Sequence, residues 1–453
     1  MKRESPLKAI FDIRKSELPL ALLMFSYFFL VITSFWILKP IKKSLFIEFY
    51  DQDGFNFNLD FHALNNLGLD IGTLQWALTA PQAEQIAKVL NMVVAIFAVI
   101  VFTWLARRFR RQQLTIIFTI FFLLCYYAYS LVIDKPGDGI IWSFYLFGDL
   151  FSTLMVATFF AFLNDSVTPD QAKRLYGLVG LGGVVGGAFG TSMVSEFISE
   201  LSDQNWLWVC FALGVLILFV AFFAGRIVDR NPPPQPEQIE QEPPKQGNAA
   251  LEGARVVFRS PYLLSIVAIV GLYEIASSIM NFQFTSTVAH YLEGDAIGEQ
   301  FAKVFAITNI GAMLVQLFLT SFIMSRLGIG IALLILPVAL LGGSAAFMVL
   351  PILWVGSSLN MVDNFFSYSI NQSAKESLYV PVSKEEKYTA KAFIDMFVQR
   401  FAKALAVVIS LGITMTFGDY SSIRWLSLVT IVVVALWIYA AVYAGRRFKE
   451  LTE

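Results

Sequence analysis

The sequence predicts an all-α membrane protein, about twelve transmembrane helices arranged as two six-helix lobes, and three observations carry that prediction. Of the 453 residues, 57% are hydrophobic and 15% charged, with a mean hydropathy of +0.65. That balance leaves too little polar surface for a water-soluble domain. About twelve apolar runs reach the roughly 20 residues that a helix needs to cross a hydrocarbon layer about 30 Å thick. Finally, Lys and Arg gather in alternate connections, as the positive-inside rule requires.

The first six spans are placed at 18–38, 86–106, 114–133, 140–163, 175–197 and 207–226, and the second six at 262–289, 301–325, 329–350, 352–371, 391–417 and 422–445. A basic stretch, 1–15, precedes the first span. That span is too long for a signal-peptide core and ends in Leu-Lys-Pro-Ile-Lys-Lys without a small-residue cleavage pattern, so it reads as retained. Basic connections at 106–113, 171–174, 226–260, 325–326, 372–391 and 445–450 alternate with segments nearly free of base. Both termini are therefore expected in the cytoplasm, and the lack of a transit-like extension points to a bacterial inner membrane.

Residues 229–248 are polar and Pro-rich, a composition that cannot bury enough apolar area to order itself. The expected organisation is an N-terminal lobe 1–228, a cytoplasmic linker 229–260 and a C-terminal lobe 261–453. Asp149 in span four and Asp363 in span ten lie at matching depths, as two parallel repeats would place them. The outer loop 46–84 holds His62 and several aromatics but no Lys or Arg, which predicts a short interfacial helix or a cap.

Several function classes are excluded. A net charge of −1 does not suit a polybasic nucleic-acid binder. Two His and two Cys are too few for a central metal or disulfide framework, and Cys125 and Cys210, within apolar runs, read as small hydrophobes. No nucleophile–base constellation is present, so neither an enzyme nor a cofactor is expected. The run Gly-Leu-Val-Gly-Leu-Gly-Gly-Val-Val-Gly-Gly-Ala-Phe-Gly at 177–190 lacks the Gly-Lys-Ser/Thr ending of a phosphate loop. Its four-residue spacings, such as Gly182 to Gly186 to Gly190, predict two closely packed helices instead.

Charges within apolar spans carry the functional signal, because an ionisable side chain at the bilayer centre costs about 2.5–3.5 kcal/mol even on an insertion scale. Asp149 and Glu274 lie well inside spans four and seven; Lys42 follows the apolar part of span one, and Lys375 sits where span ten meets cytoplasm. Two ammonium groups and two carboxylates in one cavity suit an anionic solute: the cations bind it, and the carboxylates hold the cations when it is absent.

Four stretches carry a resemblance. They are the first span through Leu-Lys-Pro-Ile-Lys-Lys-Ser-Leu-Phe, Tyr-Leu-Phe-Gly-Asp-Leu-Phe around Asp149, Gly-Leu-Tyr-Glu-Ile-Ala-Ser-Ser around Glu274, and Asn-Gln-Ser-Ala-Lys-Glu-Ser-Leu-Tyr-Val-Pro around Lys375. Together they resemble the ATP/ADP translocase family of intracellular bacteria and plastids, which is major-facilitator-like in architecture. The resemblance implies alternating-access exchange of nucleotides such as ATP and ADP, with Lys42, Asp149, Glu274 and Lys375 as substrate-site residues and membrane lipid as surroundings. Asp149 stands where the family has Glu, and Pro40-Ile41 and Lys43 replace acidic and hydroxyl neighbours of the first Lys. Two other readings are a proton-coupled facilitator for another organic anion and a non-transporting scaffold or sensor.

Overall fold

A computed structural model describes residues 14, 17–60, 73–230 and 249–452. Its helices are α1 Leu18–Phe49, α2 Ala80–Ala106, α3 Arg111–Ser130, α4 Asp138–Ser166, α5 Pro169–Phe197 and α6 Asp203–Arg230. There follow α7 Ala249–Arg259, α8 Pro261–Tyr291, α9 Asp295–Arg326, α10 Gly328–Val349, α11 Leu353–Phe366, α12 Gln372–Ser377, α13 Lys384–Phe393, α14 Gln399–Phe417 and α15 Tyr420–Thr452. Among the described residues, eleven stretches are long and apolar enough to cross a membrane. The expected tenth span is the run α11–α12, joined through a π turn at Ser367–Asn371. The chain is a multi-pass helical membrane protein.

The helix starts follow local chemistry. At α5, Thr168 accepts from the Gln171 backbone while Gln171 answers to the Thr168 backbone at 2.9 Å, and Pro169 takes the first helical position, where a missing N–H costs nothing. At α8, Ser260 accepts from the Leu263 backbone at 3.3 Å and Pro261 again stands in the first turn, without the reciprocal bond.

Two expectations are corrected. Span one does not stop near Leu38: α1 continues through a buried Pro40 to Phe49, which carries Lys39, Lys42 and Lys43 inside the helix. A helix in a membrane protein tolerates proline when its surroundings satisfy the freed carbonyl, so the proline was a poor stop signal here. The outer loop also forms no interfacial helix in its described part. Phe55–Asp60 (β1) pairs antiparallel with Thr73–Leu78 (β2), from Phe55 opposite Leu78 to Asp60 opposite Thr73. His62 lies outside the described residues, as does most of the Pro-rich linker, whose last part is the helix α7.

Residues 1–49, 90–239 and 298–309 make one compact unit, and residues 50–89, 240–297 and 310–453 another. In the first, α1 packs against α4, α5 and α6, and α3 against α4 and α6, around a core that includes Tyr27, Phe122, Phe151, Phe159 and Trp206. Glycines set the α1–α5 approach. A Cβ on Gly182, Gly186 or Gly190 would lie 2.6, 2.6 or 2.7 Å from the carbonyl oxygens of Phe25, Phe29 and Thr33. The two backbones thus touch once per turn, and the Thr33 hydroxyl donates to the Gly186 carbonyl at 3.2 Å. In the second unit, α8 packs against α11, α14 and α15, and α10 against α11 and α15.

At the start of α1, Glu17 accepts from Arg174 at 2.5 and 3.3 Å, and this guanidinium holds its carboxyl below the usual carboxylate range.

Gly186→Val is expected to cost about 1–3 kcal/mol through overpacking against Phe29, read as a lower unfolding temperature in detergent. Because the folded Glu17 value is depressed, its contribution is present above the unfolded value of about 4.3 and lost as pH falls through the lower folded value. The stability gap between wild type and Glu17→Gln should therefore be about 1–3 kcal/mol near neutrality and close at acidic pH.

Candidate functional site

Lys42 and Asp149, chosen from sequence, meet in the first unit. The extended α1 carries Lys42 alongside α4, where its ammonium lies 2.5 Å from Asp149 Oδ1. Gly148 makes that approach possible: a Cβ there would sit 2.6 Å from Lys42 Cδ, so the aliphatic stem lies across α4 where a side chain would otherwise stand. The Lys42 side chain is only 5% exposed. Its charge is compensated by the carboxylate, by the Tyr145 carbonyl at 3.4 Å and by the Tyr145 ring at 4.4 Å from Nζ. Asn91 of α2 donates to the other carboxylate oxygen, Oδ2, at 2.6 Å. Asp149 keeps 28% of its side chain exposed, so the pair is sealed on the lysine side and open on the carboxylate side. Nearby, Lys39 lies over the Trp36 ring at 4.1 Å and Lys43 over the Phe301 ring at 4.8 Å.

Glu274 and Lys375 fall in the second unit. Glu274 on α8 forms its ion pair with Lys403 of α14 at 3.5 Å. Lys375 on α12 stands over the ring of Tyr273, the residue before Glu274, at 4.9 Å, and feels the Glu274 charge through space. One turn along α8, Ser277 donates to Asp363 Oδ2 at 2.6 Å. Asp363 is only 2% exposed, and its Oδ1 has no donor among the described residues. Asp363 thus has a hydroxyl where Asp149 has an ammonium. The π turn Ser367–Asn371 separates Asp363 from Lys375, a local widening of the helix often found at functional sites.

Sequence reasoning passed over Asn91, Lys403 and the α2 pair Glu84–Lys88. Lys88 and Lys403 lay inside expected spans, so the cost argument that selected Asp149 applied to them as well; Asn91 gave no such signal because an amide carries no charge. Chemically, Lys42 is a desolvated cation held by a carboxylate, an arrangement in which an anion can compete with Asp149 for the ammonium.

A helical bundle that holds a buried lysine against a carboxylate within its apolar helices defines a membrane protein with a polar interior. Residues 24–378 match the Major Facilitator Superfamily model, and the chain belongs to that superfamily. Residues 348–448 match the TLC ATP/ADP transporter model. Among relatives, the chain is 25% identical over 348 residues to the chloroplastic ADP,ATP carrier protein 1 of Arabidopsis thaliana, a match covering 69% of this chain and 55% of that one. The chain thus spans a little over half the length of that plant carrier. It is 21% identical to ADP,ATP carrier protein 2 of Chlamydia pneumoniae, covering 78% of this chain and 79% of the relative. In fold it is similar to the nucleoside transporter NupG, with TM-score 0.60, 14% identity and coverage of 97% and 100%. A bacterial homologue of the lysosomal transporter Spinster is similar at TM-score 0.54, 14% identity and coverage of 94% and 98%.

If Lys42 and Asp149 stabilise one another as the geometry indicates, Lys42→Ala and Asp149→Ala should be non-additive. The double variant should recover about 1–3 kcal/mol relative to the sum of the singles, measured by thermal unfolding of the purified protein.

Proposed function

We propose that this chain exchanges nucleotides of the ATP and ADP kind across a bacterial inner membrane, with both termini in the cytoplasm. The observation that carries the reading is Lys42, a lysine 5% exposed inside a spanning helix and held at 2.5 Å by Asp149. A cation kept in this state at the cost of desolvation suits a ligand that brings its own negative charge. The resemblance to ADP,ATP carriers and the TLC match over residues 348–448 support nucleotides as that ligand.

In this mechanism the lobes 1–228 and 261–453, joined through 229–260, alternate access to a site between membrane faces. Lys42 and Lys375 contact phosphate; Asp149 and Glu274 hold cationic partners in the empty state and yield as the nucleotide enters. An emptied carrier leaves these charges imperfectly compensated, so its reorientation is costly and exchange is favoured over net flux.

A second reading, proton-coupled uptake of another organic anion, is favoured by Asp363, a deeply buried carboxyl with no cation in hydrogen-bond contact among the described residues.

Proteoliposomes separate the two. Exchange predicts labelled ATP uptake only into vesicles preloaded with ADP, and loss of more than about tenfold in Lys42→Ala or Lys375→Ala, each losing at least one charge-assisted contact. Uptake driven by an imposed pH gradient into empty vesicles supports the second reading and overturns the first.

A further inference from the structure

We propose that Lys88 is a further cation of the anion site, a specificity-determining residue that contacts the terminal phosphate of a polyphosphate chain, with Glu84 as its counter-ion in the empty protein. The inference deepens the nucleotide reading above and rests on it.

Lys88 lies in α2, a strongly apolar helix, where a charge must have a reason to stay. Its ammonium is 3.0 Å from Glu84 Oε2, one turn earlier, and donates to Asn281 Oδ1 of α8 at 2.8 Å. Glu84 is 1% exposed, whereas the Lys88 side chain keeps 28% of its surface open. An ammonium has three donors. Glu84 and Asn281 take two of them, and one remains for a ligand.

At 100° per residue, most exposed apolar positions of α2, among them Leu90, Val93, Phe97 and Trp104, cover one side, and Glu84 and Lys88 fall on the opposite side, where Lys88 meets α8 through Asn281; Val99, exposed and in line with Lys88, lies about three turns further along.

Asn281 places Lys88 in line with Glu274 on α8. Glu274, Ser277 and Asn281 are spaced i, i+3 and i+7, one face of α8, and each binds a polar partner from another helix: Lys403, Asp363 and Lys88. Seven residues of helix span about 10 Å. Lys88 therefore extends the polar track that begins at Glu274 by about that length, a distance suited to an elongated anion. A purely structural ion pair would be served by the amide from α8 but has no use for the open donor.

The test is binding of ATP, AMP and inorganic triphosphate to the purified full chain, with unfolding temperature measured in parallel. Lys88→Gln should weaken ATP and triphosphate about tenfold, one charge-assisted contact, and AMP less than twofold, while Lys88→Arg stays near wild type. Glu84→Gln should tighten triphosphate binding, because it removes the competing carboxylate. Opposite signs for Lys88→Gln and Glu84→Gln support the proposal. Equal weakening of ATP and AMP by Lys88→Gln, no change in either, or weaker triphosphate binding in both variants overturns it. Wild-type protein that binds triphosphate through Lys88 but no nucleotide would sink the nucleotide reading and leave the polyphosphate contact standing; binding of neither overturns both.

Discussion

The constraint on which the structure depends is that a charge inside a hydrocarbon layer cannot be left alone. Lys42 is tolerable in α1 only because Asp149, the Tyr145 carbonyl and the Tyr145 ring surround its ammonium. That solution imposes demands on its neighbours. Residue 148 must be glycine for the lysine stem to pass; Asn91 must occupy the second carboxylate oxygen; and α1 must run on beyond Pro40 to bring Lys42 into position. Close packing of α1 on the Gly182–Gly186–Gly190 ladder fixes the helix from its other side.

The second unit handles its charges with looser geometry. Glu274 meets Lys403 at 3.5 Å, Lys375 leans on an aromatic face, and Asp363 has a serine hydroxyl and one oxygen without a donor among the described residues. These groups are less fully compensated than Lys42. An incompletely compensated cation such as Lys375 attracts an anion and an incompletely compensated carboxylate such as Asp363 repels one, so Asp149, held by an ammonium, and Asp363, held by a hydroxyl, are chemically unequal.

Membership in the Major Facilitator Superfamily accounts for the helical scaffold. A bundle can be built without lysines in its spans. Keeping Lys42 and Lys88 there costs desolvation, which the carboxylates Asp149 and Glu84 offset in part.

Much was legible in the sequence. The number and order of spans follow from the length of apolar runs, because a helix must satisfy its own backbone across a membrane, and Lys42, Asp149, Glu274 and Lys375 follow from the cost of charge in that setting. Glycine spacing announced a close helix pair. Pairing was another matter. That Lys42 meets Asp149, that Glu274 takes Lys403 while Lys375 stacks on Tyr273, and that Asn91 and Asn281 complete the polar contacts are decided by which helix faces meet. Those faces are set by packing between residues far apart in the chain, such as 42 with 149 and 88 with 281. A one-dimensional reading sees how costly each charge is; only the tertiary structure, by choosing neighbours, decides what compensates it.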